Sequence, residues 1–302
     1  MDAQLIPASL FDCPVVESRP VGAYRLISFV AREIAALARP GQFLMVRAAG
    51  QKLDPLLPRP LGVHEIDSDL VKVLIEPVGR GTISLAGMRV GDRLSVLGPL
   101  GNGFDMTGEG PAIVVGGGIG AAPLAFVARS LSARGRDVRC LLGFRSRGQA
   151  VVAELFRNLP VEVYTEDGSM GKKGLVSAPL SEMLCALDGT DSFSNNTSSA
   201  GDFPSEASSA ETISGDSASS DDENSCAADT GMFPEIFACG PDPMLAAVDR
   251  ICRDCGANAQ VSVAAHMACG VGACQGCVIK TVDGYRRACS EGPVFPSTDI
   301  EW

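Results

Sequence analysis

Apolar positions in the first third of the chain fall in short runs broken by turn residues. Tyr24-Arg-Leu-Ile-Ser-Phe-Val30, Gln42-Phe-Leu-Met-Val-Arg47, Val71-Lys-Val-Leu-Ile75 and Arg93-Leu-Ser-Val-Leu97 are β-prone. Pro40-Gly41 and Gly91-Asp92 mark the turns before two of them. Strands at this spacing, with one short helix near Ser84, predict a small antiparallel β-barrel over residues 1–106. From Pro111 the pattern becomes strand and helix in alternation. Strands are expected at Ala112–Val115, Val138–Leu142, Val161–Thr165 and Ile236–Cys239, with helices at about Ala122–Ala133, Val151–Asn158 and Pro243–Cys255. Alternation of this kind implies an α/β domain over 107–258, a Rossmann-like parallel sheet with helices on both faces. After the strand Gln260–Val263, residues 259–302 read as a small C-terminal subdomain. It holds a hairpin, Val278–Val282 and Tyr285–Ala288 about an Asp283-Gly284 turn, flanked by Cys277 and Cys289.

Composition changes this picture at one place. Residues 188–231 are dominated by Ser, Asp, Ala and Thr and hold ten acids with no Lys or Arg. Such a segment buries too little apolar surface to offset chain entropy, so it is expected to be a disordered insertion on a surface loop. The net charge of −11 belongs to it, because the remainder has 26 acids against 25 bases. No basic surface suggests nucleic acid, and no apolar stretch is long enough to span a bilayer. Met1 to Arg19 lacks the features of a signal peptide, which places the expected protein in the cytoplasm. In a reducing compartment clustered cysteines are metal ligands rather than disulfides.

Four of the eleven cysteines are clustered, Cys269, Cys274, Cys277 and Cys289, at C-x4-C-x2-C-x11-C. The first two spacings match the plant-type [2Fe–2S] run, although the fourth thiol comes sooner than in that pattern. Gly270, Gly272 and Gly276 let the loop curl with its N–H groups toward sulfur. The rival is structural zinc, which usually pairs thiols as C-x2-C with C-x2-C. Cys13, Cys140, Cys185, Cys226, Cys252 and Cys255 read as ordinary thiols, and Cys252-x-x-Cys255 stands at a helix end with no partner motif.

Gly116, Gly117, Gly118 and Gly120 follow a strand and open a helix, the context in which backbone N–H groups donate to a pyrophosphate. Cys239-Gly240-Pro241 repeats that context at a later strand end, where ligands bind parallel sheets. In the barrel half, Arg59-Pro60-Leu61-Gly62 and Gly81-Thr82 together describe a second anion site, with Arg59 as a bidentate clamp. Glu166 and Asp167 end the third strand of the α/β half, where carboxylates would favour NAD over NADP. His64 and His266 stand in no metal or triad arrangement, with His266 more suited to shielding the cysteine site. Trp302 is expected to anchor packing.

In this order the motifs resemble the ferredoxin reductase-like flavoprotein superfamily. Within it they resemble the family of electron-transfer subunits of NAD-linked dihydroorotate dehydrogenases. Matching stretches include Pro40-Gly-Gln-Phe43, Arg59-Pro60, Leu97-Gly-Pro-Leu-Gly-Asn-Gly-Phe104, Gly116–Leu124, Thr165-Glu-Asp-Gly168, Ala238-Cys-Gly-Pro241 and Met267–Cys277. The cysteine tail narrows the resemblance to this family. It implies FAD held by Arg59, Pro60, Leu61, Gly62, Ile75, Glu76, Pro77, Gly81 and Thr82. It implies NAD near Gly116–Gly120 and Cys239, and a [2Fe–2S] cluster on the four clustered cysteines. It also implies an FMN-containing catalytic partner that oxidises (S)-dihydroorotate, in a heterotetramer of two plus two, with no catalytic base for that substrate here. Two departures stand out: Gly62 replaces a usual serine, and Glu76-Pro77 replaces an aromatic-basic pair. The rival functions are a reductase subunit of a hydrogenase or ferredoxin-dependent transhydrogenase, and a zinc-stabilised interaction module.

Overall fold

The computed structural model describes residues 9–50, 54–188 and 233–302. The acidic insertion therefore lies outside the described residues except for Asp188, and so does Cys226.

The barrel half contains β1 (Ser9–Val21), β2 (Tyr24–Val30), α1 (Arg32–Leu37), β3 (Phe43–Ala48), β4 (Arg59–Asp67), β5 (Leu70–Ile75), α2 (Arg80–Ala86) and β6 (Arg93–Leu100). Its strands close in the order β1-β2-β5-β4-β3-β6, each antiparallel to its neighbours. Strand periodicity fills the interior: Val71, Val73 and Ile75 from β5 meet Leu94 and Val96 from β6 and Leu61 and Val63 from β4. Two strands were not expected. Pro14 and Pro20 argue against a strand in β1, and β4 is hidden by its polar residues His64, Glu65 and Asp67.

The second half runs β7 (Ala112–Gly117), α3 (Ala121–Ala133), β8 (Val138–Phe144), α4 (Arg147–Ala150), β9 (Val161–Thr165), β10 (Lys172–Lys173), α5 (Ser177–Asp188), β11 (Glu235–Cys239), α6 (Asp242–Asp254) and β12 (Ala259–Ser262). The tail adds β13 (Val278–Thr281), β14 (Gly284–Arg287) and β15 (Val294–Pro296). A seven-stranded sheet has the order β10-β9-β8-β7-β11-β12-β15, parallel except for β15. The C-terminal segment is thus stitched into this sheet by β12 and β15, while β13 and β14 form the expected hairpin. One expected helix forms differently, and α5 is an additional one. Residues 151–158 are not an α-helix: Val151–Leu155 is a 3-10 turn continuing α4. Val152, Leu155 and Phe156 all turn inward there, and the tightened i to i+3 bonds (Phe156 N–H to the Ala153 carbonyl, 3.0 Å) allow it.

The two halves share a core. Tyr24, Leu26 and Leu74 from the barrel pack with Ala122, Leu124, Ala125 and Ala128 of α3. His64, 1% exposed, ties β4 to this helix through Nδ1 and the Ala122 carbonyl (2.6 Å), and Arg129 Nη2 donates to the His64 carbonyl (2.8 Å). Among the described residues no helix is long and apolar enough to cross a membrane.

Burial lowers the His64 pKa to about 4, against the raising effect of the Ala122 hydrogen bond. The folded state keeps this ring neutral, so its stability is complete above the ordinary value of 6.5 and is lost as pH falls from there through about 4. The difference is worth about 3 kcal/mol. In denaturant titrations, His64→Asn should flatten the fall in stability between these two pH values.

Candidate functional site

The C-terminal edge of the sheet brings three strand ends into register. Cys239 of β11 lies opposite Gly116 of β7 on one side and Ser262 of β12 on the other. The approach is close because side chains are absent. A Cβ on Gly120 would stand 2.7 Å from the Cys239 carbonyl, and one on Gly117 would stand 2.9 Å from Pro241 Cδ. Gly118 adopts a left-handed φ of 53° with open space around it. The glycine turn and the Cys-Gly-Pro turn therefore form one surface of exposed backbone.

Across from it stands the barrel. A cleft of about 200 Å³ is lined by Pro60, Leu61 and Gly62 of β4, by Gly120 and Cys239, and by Met267 just before the cysteine loop. Motifs from both halves and the tail thus meet in one place. Sequence reasoning missed Ile119, Ser262, Pro293 and Met267 as lining residues. Only the register of Ser262 with Cys239 could have flagged one of them. Burial raises the Cys239 thiol to about 11, against a hydrogen bond with Ser262.

Arg59 and Gly81 are brought together next. A Cβ on Gly81 would lie 2.1 Å from Arg59 Nε, so the guanidinium packs on bare helix backbone. Arg59 Nη1 donates to the Leu57 carbonyl at 3.0 Å. Thr82 is less available than its sequence position implies. Its hydroxyl accepts from the Val78 and Gly79 N–H groups and donates to the Gly79 carbonyl, capping α2. Ile75 is buried in the barrel core, so only its backbone can face a ligand. Glu76 accepts from Gln149 Nε2 at 3.4 Å, and Pro77 is exposed. Gly62 has a physical reason for lacking a side chain: a Cβ there would lie 2.9 Å from the Pro123 ring.

Glu166 and Asp167 lie at the end of β9 and do not line the cleft. The Asp167 carboxylate accepts from the Ser169 N–H and hydroxyl (2.9 and 2.6 Å), which hold its pKa down and fold it into its own loop. Glu166 remains as the exposed acid at this strand end.

The cysteine loop aims backbone donors at sulfur. Val271 and Cys274 N–H groups reach Cys269 Sγ at 3.4 Å, Gly276 reaches Cys274 Sγ at 3.4 Å, and Gly272 reaches Cys289 Sγ at 3.1 Å. Burial opposes ionisation of Cys269, but these N–H groups outweigh it and bring the thiol down to about 6. Cys289 goes the other way, to about 11, through burial and its neighbour Cys277. Among the described residues no three Cys, His, Asp or Glu groups are spaced to hold a single metal ion. The fit to a thiolate-bound cluster rests on the donor set and the N–H groups directed at it. Cys255 is paired differently from its C-x2-C spacing: its sulfur lies 3.8 Å from Cys185 of α5. Trp302 is 41% exposed, a wall of a second cleft rather than a buried anchor.

This combination of barrel, dinucleotide-type sheet and intervening cleft defines a ferredoxin reductase-like fold. The solved structure of an NADH-dependent reduced ferredoxin-NADP oxidoreductase superposes with a TM-score of 0.72 at 23% identity, over 96% of this chain and 90% of that one. Residues 264–301 match the family model described as the iron-sulfur cluster binding domain of dihydroorotate dehydrogenase B. The dihydroorotate dehydrogenase B (NAD(+)) electron transfer subunit of Caldanaerobacter subterraneus subsp. tengcongensis is 31% identical over 86% of this chain and 86% of its own length. That of Fusobacterium nucleatum subsp. nucleatum is 32% identical over 87% and 86%. The chain belongs to the family of dihydroorotate dehydrogenase B electron transfer subunits.

Gly81→Ala separates fold from ligand at this site. The position is helical, so alanine should stabilise α2 by about 0.5–1 kcal/mol, while the new methyl displaces the Arg59 guanidinium. Flavin titration of the apoprotein should show roughly tenfold weaker FAD binding, with an unchanged or higher melting temperature.

Proposed function

We propose that this chain carries electrons from an FMN-containing partner, which oxidises (S)-dihydroorotate to orotate, to NAD⁺, within a cytoplasmic assembly of two copies of each subunit. The observation that carries the reading is the single cleft shared by the barrel motif Pro60–Gly62, the sheet-edge Cys239 and Met267, two residues before Cys269. When bound, FAD and a [2Fe–2S] centre supply the exchange between single electrons and the pair that nicotinamide accepts.

The chain's own residues position and insulate. Arg59 offers two parallel donors to a pyrophosphate from the barrel side. Gly117 and Gly120 present backbone N–H groups without side chains, so a second dinucleotide can lie against the opening of α3. Cys239 stays protonated at neutral pH and so adds no negative charge to the cleft wall. The N–H groups directed at the sulfurs of Cys269, Cys274 and Cys289 are of the kind that surround cluster-ligating thiols. Glu166 would disfavour a 2′-phosphate, which supports NAD over NADP.

The test is anaerobic purification, metal analysis and co-expression with the candidate FMN subunit. Wild-type protein should contain iron and FAD, and the pair should reduce NAD⁺ with dihydroorotate. Cys274→Ser should lose iron and dihydroorotate-driven NAD⁺ reduction while NADH still bleaches the flavin. Zinc in place of iron, or NAD⁺ reduction surviving cluster loss, would overturn the reading.

A further inference from the structure

The stretch Leu97-Gly-Pro-Leu-Gly-Asn-Gly-Phe104 has no part in the site as described, yet it touches the cysteine tail on both sides of the cluster thiols. On one side, Gly270 is buried with a φ of 74°, and a Cβ there would lie 2.6 Å from Met45 Cγ and 3.0 Å from Leu100 Cδ1. The loop backbone next to Cys269 therefore rests directly on barrel side chains from β3 and β6. On the other side, a Cβ on Gly101 would lie 2.6 Å from Pro293 Cδ and 2.7 Å from the Gly292 carbonyl. Asn102 closes this second contact: its N–H donates to the Gly292 carbonyl at 2.6 Å and its Nδ2 to the Glu291 carbonyl at 2.9 Å.

The barrel side of these contacts is itself braced. Gln42 Nε2 donates to the Gly101 carbonyl at 2.7 Å, and the Phe104 N–H donates to the Pro40 carbonyl at 2.9 Å. Phe43, which follows Gln42, lines the cleft together with Gly41 and Pro293. The same few residues thus wall the cleft and carry the cysteine loop.

We infer that Gly270 and the Gly101-Asn102 turn are positioning residues that set the separation between the cluster loop and the flavin cleft. The inference rests on the proposed function and deepens it. Electron exchange between two bound centres weakens steeply with separation. A single methyl on Gly270 cannot be accommodated unless the loop or Met45 moves, because the contact is already closer than any real Cβ makes.

Gly270→Ala tests this in the full chain loaded with iron and FAD. NADH is added anaerobically, flavin bleaching is followed first, and cluster reduction is then followed by absorbance and by the electron paramagnetic resonance of the frozen sample. The expected result is unchanged iron, FAD and flavin bleaching, with cluster reduction slowed severalfold. Met45→Ala added to Gly270→Ala makes room for the methyl and should recover most of the rate. Gly256→Ala, at an exposed left-handed position with nothing near its Cβ, controls for backbone strain and should leave cluster reduction unchanged. An unaltered cluster rate in Gly270→Ala overturns the inference, and so does iron loss that Met45→Ala does not restore. Wild-type protein without iron or flavin would instead sink the functional reading itself.

Discussion

Close approach of backbone to its neighbours, made possible by missing Cβ atoms, holds this molecule in its working shape. Gly62 lets β4 lie against the Pro123 ring at the start of α3, where a side chain would come within 2.9 Å. Gly120 lets the same helix opening press on the Cys239 carbonyl. These contacts lie at the two ends of one short segment, so the barrel, the helix and the sheet edge are locked about a common point. The shared core of Tyr24, Leu26 and Leu74 with α3 then buries apolar surface behind it. A cleft follows geometrically: the barrel wall and the sheet edge meet at α3 and diverge from it.

The thiols illustrate how surroundings divide one residue type into two roles. Burial raises Cys140 and Cys252 to about 12 and Cys13 to about 11, which keeps them inert. Cys269 falls to about 6 because N–H groups face its sulfur. Cys277 and Cys289, each 2% exposed, are buried side by side, and Cys289 resists losing its proton for that reason. Two adjacent buried thiolates require a positive counter-charge between them. In the proposed function that counter-charge would come from iron. The loop directs N–H groups at Cys269 and Cys274 and one, from Gly272, at the buried Cys289.

Much of this was legible from residue patterns. The strand Val161–Thr165 and the C-terminal hairpin follow directly from alternation and turn residues. The motifs around Pro60, Gly120 and Cys239 were legible one by one, while their meeting in one cleft shows only in the structure. Where reading failed, a competing pattern had hidden the signal. The spacing of Leu180 and Leu184, after Ser177 and Pro179, does mark α5, but the helix abuts the low-complexity segment and goes unassigned in the sequence reading. Pro14 and Pro20 disguised β1, and the inward pull of Val152, Leu155 and Phe156 replaced a helix with a tighter turn. The contact of Arg59 with Gly81 and the engagement of Asp167 by Ser169 exist only in space, and no periodicity reports them.

The two departures from the family pattern have one explanation in the contact between halves. At position 62 the Pro123 ring occupies the room a serine would need, so β4 can offer a dinucleotide only its backbone there. At position 76 the carboxylate accepts from Gln149 at the end of α4, and its charge, after burial, helps raise the buried Tyr24 hydroxyl to a very high pKa. A basic residue at 76 would lose the first of these interactions and reverse the second. Both positions have been given over to holding the barrel against the sheet. Arg80 is paired with Asp54 and is drawn off in the same way. In the proposed function the burden of neutralising a pyrophosphate on the barrel side therefore falls on Arg59, packed on the bare backbone of Gly81, where any added side chain would displace it.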